Sequence, residues 1–81
     1  MTQAEILEEI TEVVRDVLAE DDVVLSAGST AADVEGWDSV TNIEIMIGLE
    51  QSFGFRFQTG EMATIKNVGE LAARIEQKLA G

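Results

Sequence analysis

The chain has 81 residues, no cysteine and no histidine, with 16 Asp and Glu against five Lys and Arg, for a formal net charge of −11. That leaves room for one small domain, residues 1–81, held by neither disulfides nor a Cys/His zinc site. The carboxylate excess argues against nucleic acid and anionic membrane surfaces and points to basic protein surfaces as partners.

Hydrophobic residues make up 46% of the chain, too many for a disordered acidic tail. No apolar run reaches the length of a membrane span, and the start, Met1-Thr2-Gln3-Ala4-Glu5, lacks the basic and apolar regions of a signal peptide. The expectation is a soluble, cytoplasmic monomer.

Ile6, Ile10, Val13, Val14 and Val17 recur at helical spacing and fall in one stripe at about 100° per residue. Glu5, Glu8, Glu9, Glu12 and Asp16 cover much of the remaining surface, and Thr2 followed by Glu5 has the pattern of a capping box. The spacing predicts a first helix over residues 2–19. Residues 20–37, with Asp21-Asp22, Ser26, Gly28, Ser29, Thr30 and Gly36, read as a long loop anchored by Val23, Val24, Leu25, Val34 and Trp37. Val23-Val24-Leu25 has no second strand to pair with, so it is expected to pack on the helices as loop. A second helix is predicted over residues 39–53, stopped by Gly54. A connector over residues 55–67 follows, with a short helix near residues 60–64. Val68, Leu71, Ala72, Ile75 and Leu79 then form one stripe of a final helix over residues 67–80. The predicted fold is all-α: a small four-helix bundle of three main helices and one short one, with a long loop between the first two.

Gly36-Trp37-Asp38-Ser39-Val40 places a serine at the mouth of the second helix. A nucleophilic serine needs an adjacent base, and the chain has neither histidine nor cysteine. Ser39 therefore reads as a place of attachment rather than a catalyst. The plainer reading of Asp38-Ser39 alone is a helix cap.

On a helical wheel the second helix has two apolar sides. Ile45, Met46, Leu49 and Phe53 form the core face, while Val40, Ile43 and Ile47 lie nearly opposite, beside Glu44 and Glu50. An apolar stripe rimmed by carboxylates has the composition of a docking surface. A central helix wrapped on all sides is the competing arrangement.

These residues resemble the acyl carrier protein family. Its Asp-Ser-Leu-type motif reads Asp38-Ser39-Val40 here, at the start of an apolar-acidic helix that ends in Gln51-Ser52-Phe53-Gly54. An acidic first helix and a long loop precede the motif, and the similarity spans essentially the whole chain. The resemblance implies that a phosphopantetheinyl transferase moves 4′-phosphopantetheine from coenzyme A to the Ser39 hydroxyl. The arm's thiol would carry acyl groups as thioesters in fatty-acid, polyketide or related biosynthesis, and the protein itself would not be an enzyme. Asp38 would be the acidic neighbour that the transferase recognises. Glu44 and Glu50 would meet basic patches on acyl-transferring and chain-elongating enzymes, and Val40, Ile43 and Ile47 would form the apolar part of that contact. Ile45, Met46, Leu49, Phe53, Ile65 and Ile75 would line a space for the acyl chain.

The chain departs from the family pattern at several points. Val40 replaces the commoner leucine, Gln51 stands where many members have an acid, and Gln58-Thr59-Gly60-Glu61-Met62-Ala63 holds one carboxylate. Trp37 differs from the housekeeping pattern and suits a stand-alone carrier of a specialised product. A peptidyl or aminoacyl carrier is the nearest alternative, although Trp37-Asp38-Ser39 is not the Gly-Gly-x-Ser of that class. An unmodified acidic adaptor is the alternative from another class. A calcium loop starting at Asp33 fails because Trp37 falls at a ligand position and Asp38 where glycine belongs. No metal site is expected.

Overall fold

Thr2 opens the first helix. Its Oγ1 accepts the Glu5 N–H at 3.2 Å, and Glu5 Oε1 accepts the Thr2 N–H at 2.8 Å. In this computed structural model, which describes residues 2–80, helix α1 runs Gln3–Leu18 and ends where Ala19 turns left-handed at φ 55°. Helix α2 is Ser39–Phe53, capped by Asp38 and closed by Gly54 at φ 77°. Helix α3 is Val68–Ala80, one residue shorter than predicted because Asn67 stands before it, with Oδ1 accepting the Glu70 N–H at 2.8 Å. The expected short helix is a 3₁₀ turn, Glu61–Thr64. A second 3₁₀ turn, Ala31–Asp33, lies inside the long loop and was not expected. Among the described residues there is no strand, and no helix is long and apolar enough to cross a membrane.

Helix α1 packs against both α2 and α3. Ile6, Ile10, Val13 and Val14 meet Ile45 and Leu49 of α2 and Val68, Leu71, Ala72 and Ile75 of α3 in one buried cluster. Gly48 lets α1 and α2 approach closely, since a Cβ there would lie 2.8 Å from Val13 Cγ1. The Val23–Leu25 segment packs as loop: Leu25 is buried and Val23 lies against the core, while Val24 is 81% exposed. Arg15 ties this segment to α1 by donating Nε–H to the Val23 carbonyl at 2.8 Å.

The connector is held from two sides. Glu61 accepts Arg74 Nη1 at 2.9 Å on Oε2 and Lys78 Nζ at 2.9 Å on Oε1, and Oε1 also accepts the Gln58 N–H at 2.8 Å. Lys78 Nζ further donates to the Arg56 carbonyl at 3.3 Å and lies 5.9 and 5.7 Å from the Phe55 and Phe57 ring centres. Burial works against the Glu61 carboxylate, its side chain being 8% exposed. The Gln58 N–H, Lys78 and Arg74 outweigh that effect and hold its pKa down to about 2.

Two predictions follow from these charges. Glu61 contributes stability above its ordinary pKa of 4.5, and that contribution is lost as pH falls toward 2. Because its partners are partly exposed, Glu61→Gln should cost about 1–2 kcal/mol at pH 7. Urea melts at several pH values should show this gap closing between pH 4.5 and 2. Protonation of the other carboxylates relieves repulsion in both proteins and cancels in the comparison. Secondly, a net charge of −11 repels itself, so added salt or millimolar magnesium should raise the melting temperature. A melting temperature indifferent to both would contradict this.

Candidate functional site

The turn before α2 is built by side chains bonding to nearby backbone. Asp38 Oδ1 accepts the Val40 and Thr41 N–H groups at 2.9 and 3.0 Å. Thr41 Oγ1 accepts the Asp38 N–H at 2.8 Å and donates to the Gly36 carbonyl at 2.7 Å. Gly36 supplies the bend, at φ 91°. The Thr41 and Val40 amides favour the charged Asp38 carboxylate and lower its pKa from the ordinary value. Asp38 therefore brings a negative charge to this turn. The cap reading of Asp38 thus holds, and it leaves Ser39 unengaged.

Ser39 is the first residue of α2 and is exposed. Among the described residues its hydroxyl takes part in no side-chain hydrogen bond, while the turn on either side is fixed. A helix N-terminus favours an attached phosphate through its partial positive charge and its amide groups. The residues present thus fit a phosphodiester on Ser39 Oγ, a group that needs an accessible hydroxyl and no further ligand from the chain.

The apolar stripe of α2 faces outward. Val40, Ile43 and Ile47 are 68%, 54% and 46% exposed, and Glu44 beside them is exposed too. Helix α2 is therefore not wrapped on all sides. Glu50 differs from Glu44: it is half-buried, and its Oε2 accepts the Phe57 N–H at 2.7 Å. One carboxylate of the expected docking set is thus tied to the connector.

Most of the residues expected to line a space for the acyl chain pack in or against the core. Ile45, Leu49 and Ile75 are fully buried in the core against α1, and Met46 and Phe53 are partly buried. A cavity of about 70 Å³ opens between the long loop, the start of α2, and the segment leading into α3. Of the six expected wall residues, only Ile65 lines it. Trp37, Asn42, Met62, Val68 and Leu71 are among the others. Trp37 Nε1–H donates to Asn42 Oδ1 at 2.9 Å, fixing the cavity wall one helical turn from Ser39. Sequence reasoning missed Thr41, Asn42 and Glu61. Thr41 had a usable signal, as a hydroxyl three residues after a capping aspartate. The other two make contacts that local spacing does not reveal.

Residues 8–75 match the family model described as a phosphopantetheine attachment site. An acyl carrier protein of Thermosynechococcus vestitus is 33% identical over 99% of this chain and 99% of its own length. Acyl carrier protein 2, chloroplastic, of Hordeum vulgare is 38% identical over 95% of this chain, which spans 59% of that longer protein. The solution structure of a holo acyl carrier protein from Geobacter metallireducens superposes with a TM-score of 0.83 at 35% identity, over 91% of this chain and 85% of that one. The chain belongs to the acyl carrier proteins, which carry covalently attached 4′-phosphopantetheine and are carriers rather than enzymes.

Proposed function

We propose that residues 1–81 form a single carrier domain whose arm is attached at Ser39. The observation that carries this is an exposed, unengaged hydroxyl at the first position of α2, set in a turn braced by Asp38 and Thr41. In the transferase, Ser39 Oγ attacks the phosphorus of coenzyme A that bears pantetheine. A new P–O ester bond forms and the pyrophosphate P–O bond breaks. Adenosine 3′,5′-bisphosphate leaves, and the hydroxyl proton passes to a base of the transferase. The arm supplies a terminal thiol for acyl groups.

Asp38 presents a charge beside the attachment point that the transferase reads. Val40, Ile43 and Ile47 form the apolar centre of the docking surface, with Glu44 as its free carboxylate. Glu50 shapes its far end by holding the Phe57 amide. Partners are acyl-transferring and chain-elongating enzymes with basic patches, in fatty-acid, polyketide or related biosynthesis in the cytoplasm. Trp37 favours a specialised product over the housekeeping one.

Intact mass after incubation with coenzyme A and a broad-specificity phosphopantetheinyl transferase tests the attachment. One phosphopantetheine increment is expected on the wild type and none on Ser39→Ala. No increment on folded, unmodified wild type would leave an acidic helical adaptor as the better reading. Glu44→Lys should slow loading by an acyl-transferring partner roughly tenfold at low salt, with the melting temperature unchanged. Full-rate loading of that variant would remove α2 as the docking face.

A further inference from the structure

Three of the chain's five Lys and Arg, namely Arg15, Arg74 and Lys78, are engaged within the fold. Arg56 is exposed, and among the described residues its guanidinium makes no hydrogen bond or ion pair. The backbone that carries it is pinned at three points. The Phe55 N–H donates to the Glu50 carbonyl at 3.3 Å, and the Phe57 N–H to Glu50 Oε2 at 2.7 Å. Lys78 Nζ donates to the Arg56 carbonyl at 3.3 Å. Phe55 and Phe57 both pack against the core, with ring centres 4.8 Å apart. Side chains alternate along an extended segment, so Arg56 between them is turned to solvent.

This cation sits at the far end of the outward stripe of α2. Ile47, Glu50, Gln51, Gly54 and Phe55 line one surface groove with it, and Ile47 ends the exposed row that begins at Val40 beside Ser39. Glu50 in this groove is half-buried and holds the Phe57 amide; it forms no ion pair with Arg56. Gln51 is neutral. The outward face of α2 therefore changes sign along its length. Asp38 and Glu44 are exposed acids toward the Ser39 end, and Arg56 is an exposed base at the other.

We propose that Arg56 selects partner enzymes whose docking patch is bipolar, with cations facing Glu44 and a carboxylate facing Arg56. The proposal rests on the carrier reading of Ser39. A uniformly basic patch sets a cation against the Arg56 guanidinium, and like charges brought together at a contact oppose binding. A bipolar patch gains at both ends and fits the stripe in one direction only. That direction keeps the partner's reacting centre at the Ser39 end.

The test gives the phosphopantetheine-bearing protein to two chain-elongating enzymes, one from the same organism and one whose docking patch is basic throughout. Arg56→Glu should lower kcat/KM about tenfold with the first enzyme, through KM, and raise it with the second. Arg56→Gln, which adds no charge that Lys78 can capture, should lie between, and Arg56→Lys should keep most of the wild-type rate. Both effects should shrink in about 0.5 M salt. Equal melting temperatures are expected, because the fold uses the Arg56 carbonyl and not its side chain. Unchanged kcat/KM with either enzyme, or a change of the same sign with both, would overturn the proposal. Failure to take up phosphopantetheine would show in the intact mass and would overturn the carrier reading on which it rests.

Discussion

The first amides of α3 donate into the long loop, and the rest of the site depends on that contact. A helix leaves its initial N–H groups without intrahelical partners. Here Val68 donates to the Ser29 carbonyl and Gly69 to the Ala27 carbonyl, both at 2.8 Å. Only glycine allows the second bond, because a Cβ at residue 69 would sit 2.8 Å from that same carbonyl oxygen. With Arg15 holding Val23 at the loop's other end, residues 20–37 are anchored to two helices instead of swinging free. The turn that presents Ser39 and the Trp37 side of the cavity both inherit their positions from this anchoring.

Charge is divided between structure and surface in a way the net value conceals. Arg15, Arg74 and Lys78 are engaged within the fold, the last two on a single carboxylate. Few cations remain to offset the outward-facing acids. Glu61 and Glu50 are among the acids held inside, both bracing the connector against its neighbours. The carboxylate free to meet a partner on α2 is Glu44, placed among Val40, Ile43 and Ile47. An apolar strip with charge at its edge therefore faces solvent, a composition that favours guidance of an encounter over tight binding.

Much of the fold was legible because its signals are local. The apolar stripes of α1 and α3, the Thr2–Glu5 cap and Gly54 gave element boundaries within a residue or two. The two-sided wheel of α2 separated Ile45 and Leu49 from Val40 and Ile43, as the packing does. Contacts across the chain were not legible. Nothing in the spacing pairs Glu61 with Arg74 and Lys78, or directs Glu50 to the Phe57 amide. The cavity escaped for a related reason. Its lining is mostly loop and connector residues, while the large apolar residues of α2 are drawn onto α1 by the tight crossing at Gly48. The open space falls where small and polar residues of the loop meet the start of α3.

Trp37 is the chain's sole tryptophan, and there is no tyrosine. Its indole is half-buried, hydrogen-bonded to Asn42, and part of the cavity wall. Ultraviolet emission excited at the red edge of the protein band thus originates from one side chain at one known place. The fold has placed a native chromophore two residues before Ser39, so changes at this turn can be followed optically in the unlabelled protein.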